Sequence, residues 1–135
     1  MKYFTLKELT KSDTAKRKGI DNTPVDKKVY DNLVALVENI LDPLREVYGK
    51  PIIVSSGYRC PKLNTAIGGS KMSQHMVGQA ADIHTVSDTV EDNKKLYDLV
   101  KSLKLPFDQL INEYNYNWVH VSYGPRNRRQ EVTIK

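Results

Sequence analysis

Apolar residues recur at helical spacing through Val25, Val29, Leu33, Leu36, Val37, Ile40, Leu41 and Leu44. Such a stripe predicts a long amphipathic helix with one buried face. Pro24 sits where a helix can begin, because the first helical position has no use for its missing N–H. Pro43 predicts a kink or a division into two, and Gly49 predicts the C-terminal stop. Ahead of this helix, residues 1–24 read as short helical turns and loops, with Thr5 and Glu8 spaced as a capping box. Beyond it, Ile52, Ile53 and Val54 predict a short strand. Residues 55–79 are rich in Ser, Gly and Asn, with one helical turn expected after Pro61. Residues 80–84 predict another strand. Asp88 and Glu91 are spaced as a second capping box, opening a helix whose buried side is Val90, Leu96, Leu99, Val100 and Leu103. Residues 107–113 and 118–123 form strand-like runs joined by Tyr114, Asn115, Tyr116 and Asn117, which predicts an antiparallel hairpin. Helices early and strands late point to an α+β fold, with helices packed on one face of a small antiparallel sheet. A single domain is expected over residues 1–135.

Composition narrows the class. Hydrophobic residues make up 39% and charged residues 27%, ordinary for a globular chain and against global disorder. The lone cysteine, Cys60, excludes an internal disulfide and reads as a small, half-buried side chain. No apolar run is long enough to span a membrane. The N-terminus is too polar for a signal peptide, so synthesis in the cytoplasm without a signal of its own is expected. The net charge of +5 and pI near 9.2 would favour polyanions. The one dense basic cluster is Arg126-Asn127-Arg128-Arg129, and a modest charge mainly keeps a small protein in solution. No recognition motif accompanies it, so no nucleic-acid partner is expected, and a monomer is.

The candidate chemistry centres on three histidines, His75, His84 and His120. Two imidazoles and one carboxylate would give zinc three protein ligands and leave a fourth position open, as in a catalytic site. Histidine pairs in small proteins are more often surface or core residues, and the helix-borne HExxH pattern is absent. The setting favours chemistry all the same. His75 lies in a Gly- and Ser-rich loop, where functional groups gather. Asp82 lies in the apolar run Ala80-Ala81-Asp82-Ile83, where a buried carboxylate needs a cation or several donors.

Ser56-Gly57-Tyr58-Arg59-Cys60-Pro61, Asn64, Gly68-Gly69, Ser73-Gln74-His75, Gly78, Ala80, Asp82 and Trp118-Val119-His120-Val121-Ser122 together resemble the D-alanyl-D-alanine carboxypeptidase family. This zinc group includes murein metallopeptidases, the vancomycin-resistance dipeptidases and the hedgehog domain. The resemblance covers roughly residues 3–123 and is closest in flavour to small phage and prophage members. It implies His75, Asp82 and His120 as zinc ligands. It implies that Arg59 holds substrate or stabilises an oxyanion, for which its planar fork is suited. Ser73 would support the metal site or bind substrate, although a turn-stabilising hydroxyl explains it equally well. His84, two residues beyond Asp82 on the same strand face, could replace His120 as ligand, but the family pattern favours His120. Trp118, Tyr58 and Tyr123 could line a substrate groove or pack the core.

The implied activity is zinc-assisted hydrolysis of peptide bonds in peptidoglycan stem peptides, as a D,D-carboxypeptidase or an endolysin-type endopeptidase. It would act at the cell wall once a phage or lysis system releases the protein. A carboxylate must take the proton of the attacking water. Relatives carry Asp or Glu three residues before the final histidine, where this chain has Asn117. If residues 114–117 form the hairpin loop, Glu113 pairs with Trp118 and Ile111 with His120, which puts Glu113 and His120 on one face. Glu113 is therefore the expected base. The competing reading is a zinc-containing module that binds peptidoglycan and has lost turnover at Asn117.

Overall fold

The apolar stripe becomes a helical run from Lys27 to Tyr48 in the computed structural model, which describes residues 1–135. It comprises α3 (Lys27–Leu36), a π turn (Val37–Leu41) and α4 (Asp42–Tyr48). Pro43 does not end the run. A proline cannot donate to the preceding turn, and the wider π turn just before it accommodates that loss. Gly49 stops α4 in the left-handed conformation, at φ 76°. The start differs from expectation. Asp26 accepts from the Lys28 N–H and caps α3, so Pro24 stays outside, and Val25 is 98% exposed rather than part of the buried stripe. An aspartate at the cap satisfies an orphan N–H, which proline cannot do.

Ahead of that run lie α1 (Leu6–Thr10), entered through the Thr5–Glu8 capping box, and α2 (Asp13–Lys18). The turn expected after Pro61 is α5 (Pro61–Ala66), capped by the Cys60 sulfur accepting from Leu63 N–H. The later helix, α6 (Val90–Ser102), is capped by Thr89, whose hydroxyl accepts from Asp92 N–H. The capping pair is thus displaced by one residue from the expected Asp88 and Glu91. Asp88 sits at φ 54°, a turn conformation that aspartate tolerates.

The strands are β1 (Ile52–Ser56), β2 (Ala80–Thr85), β3 (Gln109–Glu113), β4 (Trp118–Ser122) and β5 (Gln130–Ile134). They form one sheet in the order β1-β2-β4-β3-β5. Every pair is antiparallel except β3–β5, which is parallel. The α+β class holds, with one correction: the C-terminal strand makes the sheet mixed. Its Gln130-Glu131-Val132-Thr133-Ile134 run is short and mostly exposed, so its apolar alternation is too weak to mark a strand.

Alternation assigns the two sheet faces. Ala81, Ile83, Leu110, Val119 and Val121 join Leu33, Leu36, Ile40, Leu41, Leu44, Leu96 and Val100 in one core of 21 buried residues. Fully burying a side chain of this size contributes about 1.5–3 kcal/mol, so the helices stay on that face. Asp82, Ile111, Glu113 and His120 fall on the opposite face, under the 57–79 loop. No helix is long and apolar enough to cross a membrane.

Candidate active site

Asp82 and His120 are direct partners across the β2–β4 ladder. His75 reaches them from a short 3₁₀ helix, Gln74–Val77, that precedes β2. Two close backbone approaches fix that helix. Gly78 ends it at φ 76°, and a Cβ there would lie 2.7 Å from the Val29 carbonyl oxygen of α3. Gly57 passes so near Leu9 that a Cβ would overlap the Leu9 carbonyl oxygen. At both places only glycine lets the backbones meet. The Gly57 carbonyl in turn accepts a 2.7 Å hydrogen bond from His75 Nδ1–H. That bond fixes the tautomer and leaves the Nε2 lone pair free.

His75 Nε2 lies 3.4 Å from Asp82 Oδ1, and His120 Nδ1 lies 3.0 Å from the same oxygen. All three ligand atoms fall within 4.8 Å of one another. Ligands held tetrahedrally at the usual zinc distances are about 3.3 Å apart, so this spacing suits a metal between them. The donors are two nitrogens and one oxygen, which zinc accepts and calcium or magnesium would not choose. Burial by itself would raise the Asp82 carboxyl, but the positive form of the His75 and His120 rings, donating hydrogen bonds to it, holds it well below the ordinary carboxylate range. The site therefore presents an ionised carboxylate to a cation.

These three residues line a cleft of about 530 Å³ together with Arg59, Ser73 and Glu113. Arg59 N–H donates to the His75 carbonyl at 3.0 Å, and its Nη2 donates to Ser73 Oγ at 3.3 Å. Arg59 Nε is buried with no partner. Burial lowers the Arg59 guanidinium from its ordinary value, opposed by the charges of Asp82 and Glu113. Ser73 Oγ accepts from His75 N–H at 3.2 Å, so it caps the 3₁₀ helix and steadies Arg59.

The hairpin register is the expected one: Glu113 faces Trp118, and Ile111 faces His120. Glu113 Oε2 accepts from Trp118 Nε1–H at 2.6 Å. Burial raises the Glu113 carboxyl, and the Asp82 charge adds to it, with the Trp118 hydrogen bond opposing. Tyr114, Asn115 and Tyr116 occupy the left-handed region at φ 53°, 55° and 57°. Their turn stacks Tyr114 edge-on against Trp118, with ring centroids 5.3 Å apart. Asn117 is exposed in this turn, and its N–H bonds to the Glu113 carbonyl, away from the cleft.

His84 stays outside the cluster. Its Nδ1 lies 2.7 Å from the Thr85 carbonyl and 3.6 Å from Asp88 Oδ1. It shares a face with Asp82 but sits one repeat further along β2, beside Ile53 of β1. Tyr58 is buried in the core and Tyr123 packs against it, leaving Trp118 as the one of the three candidate aromatics in the cleft.

Gln74, Asp108 and Arg128 enter the picture only in three dimensions. Asp108 is fully buried and accepts from Arg128 N, Nε and Nη2 and from Gln74 Nε2, each at 2.9 Å. Its place directly after Leu105-Pro106-Phe107 carried a signal like that of Asp82, a carboxylate against an apolar run.

The family model for Peptidase M15 matches residues 2–122. The chain belongs to the Peptidase M15 family. No curated protein matches it. M15 peptidases are zinc metallopeptidases, and the donor set of His75, Asp82 and His120 fits that metal. The M15 match contains every residue of the cleft described so far except Arg128, which lies beyond residue 122.

Proposed function

We propose that this M15 peptidase hydrolyses peptide bonds in peptidoglycan stem peptides, with His75, Asp82 and His120 holding zinc and Glu113 as general base. The observation that carries the reading is Glu113, half-buried in the same cleft as the three donors with its carboxyl raised from the ordinary value. A carboxylate nearer neutrality takes and returns a proton more readily than an ordinary one. Trp118 Nε1–H holds Oε2 and orients the group, leaving Oε1 to accept a proton from the attacking water and deliver it to the leaving amine. Zinc, when bound, supplies a Lewis acid that polarises the scissile carbonyl and makes water a stronger nucleophile. Arg59, its Nε without a partner, offers a fork to a substrate carbonyl or carboxylate. Ser73 positions Arg59 and the His75 turn. The protein acts as a monomer, in the manner of small phage lysis enzymes that reach the wall on release, either trimming a terminal D-alanine or cutting within the stem.

The test is incubation of zinc-loaded protein with defined murein fragments, with products identified by mass spectrometry. Cleavage is expected, and Glu113→Gln should keep fold and zinc while lowering turnover by about 10²-fold or more. Full turnover in Glu113→Gln overturns the base assignment. An inactive wild type made active by Asn117→Asp would establish the binding-module reading instead.

A further inference from the structure

The three arginines of the basic cluster have different fates. Arg129 turns away from the cleft, stacks over the Phe107 ring at 4.7 Å and donates to the Leu105 carbonyl. Arg128 spends Nε and Nη2 on Asp108. Arg126 lines the cleft, and its side chain is 61% exposed. Its nearest acid is Asp108, whose Oδ2 lies 3.9 Å from Nη2, beyond hydrogen-bond reach. The Asp108 oxygens are already occupied by Arg128 and Gln74. Arg126 therefore presents a guanidinium fork with no protein acceptor.

A second observation lies at the same end. Gln74 lines the cleft with its Nε2 committed to Asp108, which fixes the amide orientation, and its Oε1 is buried without a partner. Gln74 and Arg126 both border Asp108, and an unmet acceptor and an unmet cation at one end of the cleft match a ligand that carries an N–H donor and an anion together. A peptide with a free carboxylate has both. The charges agree: Arg128 is neutralised by Asp108, so Arg126 is unopposed at this end.

Arg59 follows β1, the metal-ligand strands β2 and β4 come next, and β3, whose approach carries Asp108, lies beyond them. Three strand spacings separate β1 from β3, about 14 Å, the span of roughly four residues of extended peptide. A chain laid across the ligand strands from Arg59 would reach Arg126.

We propose that Arg126 is a specificity residue that reads a free carboxylate of the substrate several residues from the Arg59 end, so that the protein selects acidic peptides. This rests on the reading of the cleft as a peptidase site and names its substrate class. Arg126 lies beyond the span of the M15 match, so the selectivity belongs to this chain's own C-terminal segment.

The experiment uses pairs of synthetic stem peptides identical except that one carboxyl is free or amidated. Zinc-loaded wild type and the variants Arg126→Ala and Arg126→Lys are compared by kcat/KM. Binding of uncleavable reduced-amide versions is measured in parallel by calorimetry. A charge-assisted pair predicts a preference of about 10–100-fold for the free acid in the wild type. Arg126→Ala should lose that preference, mainly through KM, with Arg126→Lys recovering part of it. Equal losses on acid and amide peptides, or no change in preference, overturn the proposal. If no peptide is cleaved, the peptidase reading fails, while the calorimetric preference and its response to Arg126→Ala still decide the role of Arg126.

Discussion

Asp82, within β2, and Asp108, at the entry to β3, are both buried aspartates, yet their surroundings make opposite demands. Asp108 receives four hydrogen bonds from Arg128 and Gln74, a complete internal set. Asp82 Oδ1 faces only two imidazole nitrogens, one of them on a ring whose other nitrogen is tied to the Gly57 carbonyl. The lesson is that a buried carboxylate is identified by how its partners are completed. Where protein donors satisfy it, it pins segments together, here the C-terminal turn and the 3₁₀ helix of His75. Where its partners are themselves electron-pair donors, the arrangement calls for a cation.

The sharpest break of that comparison is metal content. His75→Ala, Asp82→Ala and His120→Ala should each weaken zinc binding beyond the 10–100-fold typical of losing a mere supporting group. Asp108→Ala should still carry about one zinc per chain. Metal analysis by emission spectroscopy decides it, and equal zinc loss at Asp108 would erase the distinction.

Stability should rank the two the other way. Removing one partner of a buried pair costs about 3–5 kcal/mol, and the partial exposure of Arg128 reduces this to about 2–4 kcal/mol for Asp108→Ala. Urea unfolding of the metal-free proteins measures it.

The pH dependence isolates the ionic part. Hydrogen bonding from Arg128 outweighs burial and holds the Asp108 carboxyl at about 2. A depressed folded value means stability that is present above the unfolded value near 4 and lost as pH falls from about 4 to 2. The contribution is about 2 kcal/mol, so the stability gap between wild type and Asp108→Asn should narrow by roughly that amount across this window. A gap independent of pH would refute the ionic account.

The smallest effect belongs to His84. It makes one contact to a neighbouring carbonyl and lies 3.6 Å from a half-exposed aspartate. His84→Ala should cost less than about 1 kcal/mol and leave zinc binding intact. Loss of zinc there would mean that the metal centre extends along β2.

Periodicity and ligand chemistry are properties of neighbouring residues, and the sequence determined what depends on them. The 3.6-residue stripe set the long helix, the Thr5–Glu8 box set the start of α1, and the 113–118 pairing set the hairpin register that brings Glu113 and His120 to one face. The His75, Asp82 and His120 trio was legible as a candidate donor set because few residue types bind zinc. Tertiary structure decided what depends on segments far apart in the chain. It sent His84 away from the cluster, gave Asp108 to Arg128, and added β5 alongside β3. It also divided one basic cluster into two anchors and one free guanidinium. The physical reason is partnership: a charged side chain has no fixed role until packing supplies or withholds the groups that satisfy it.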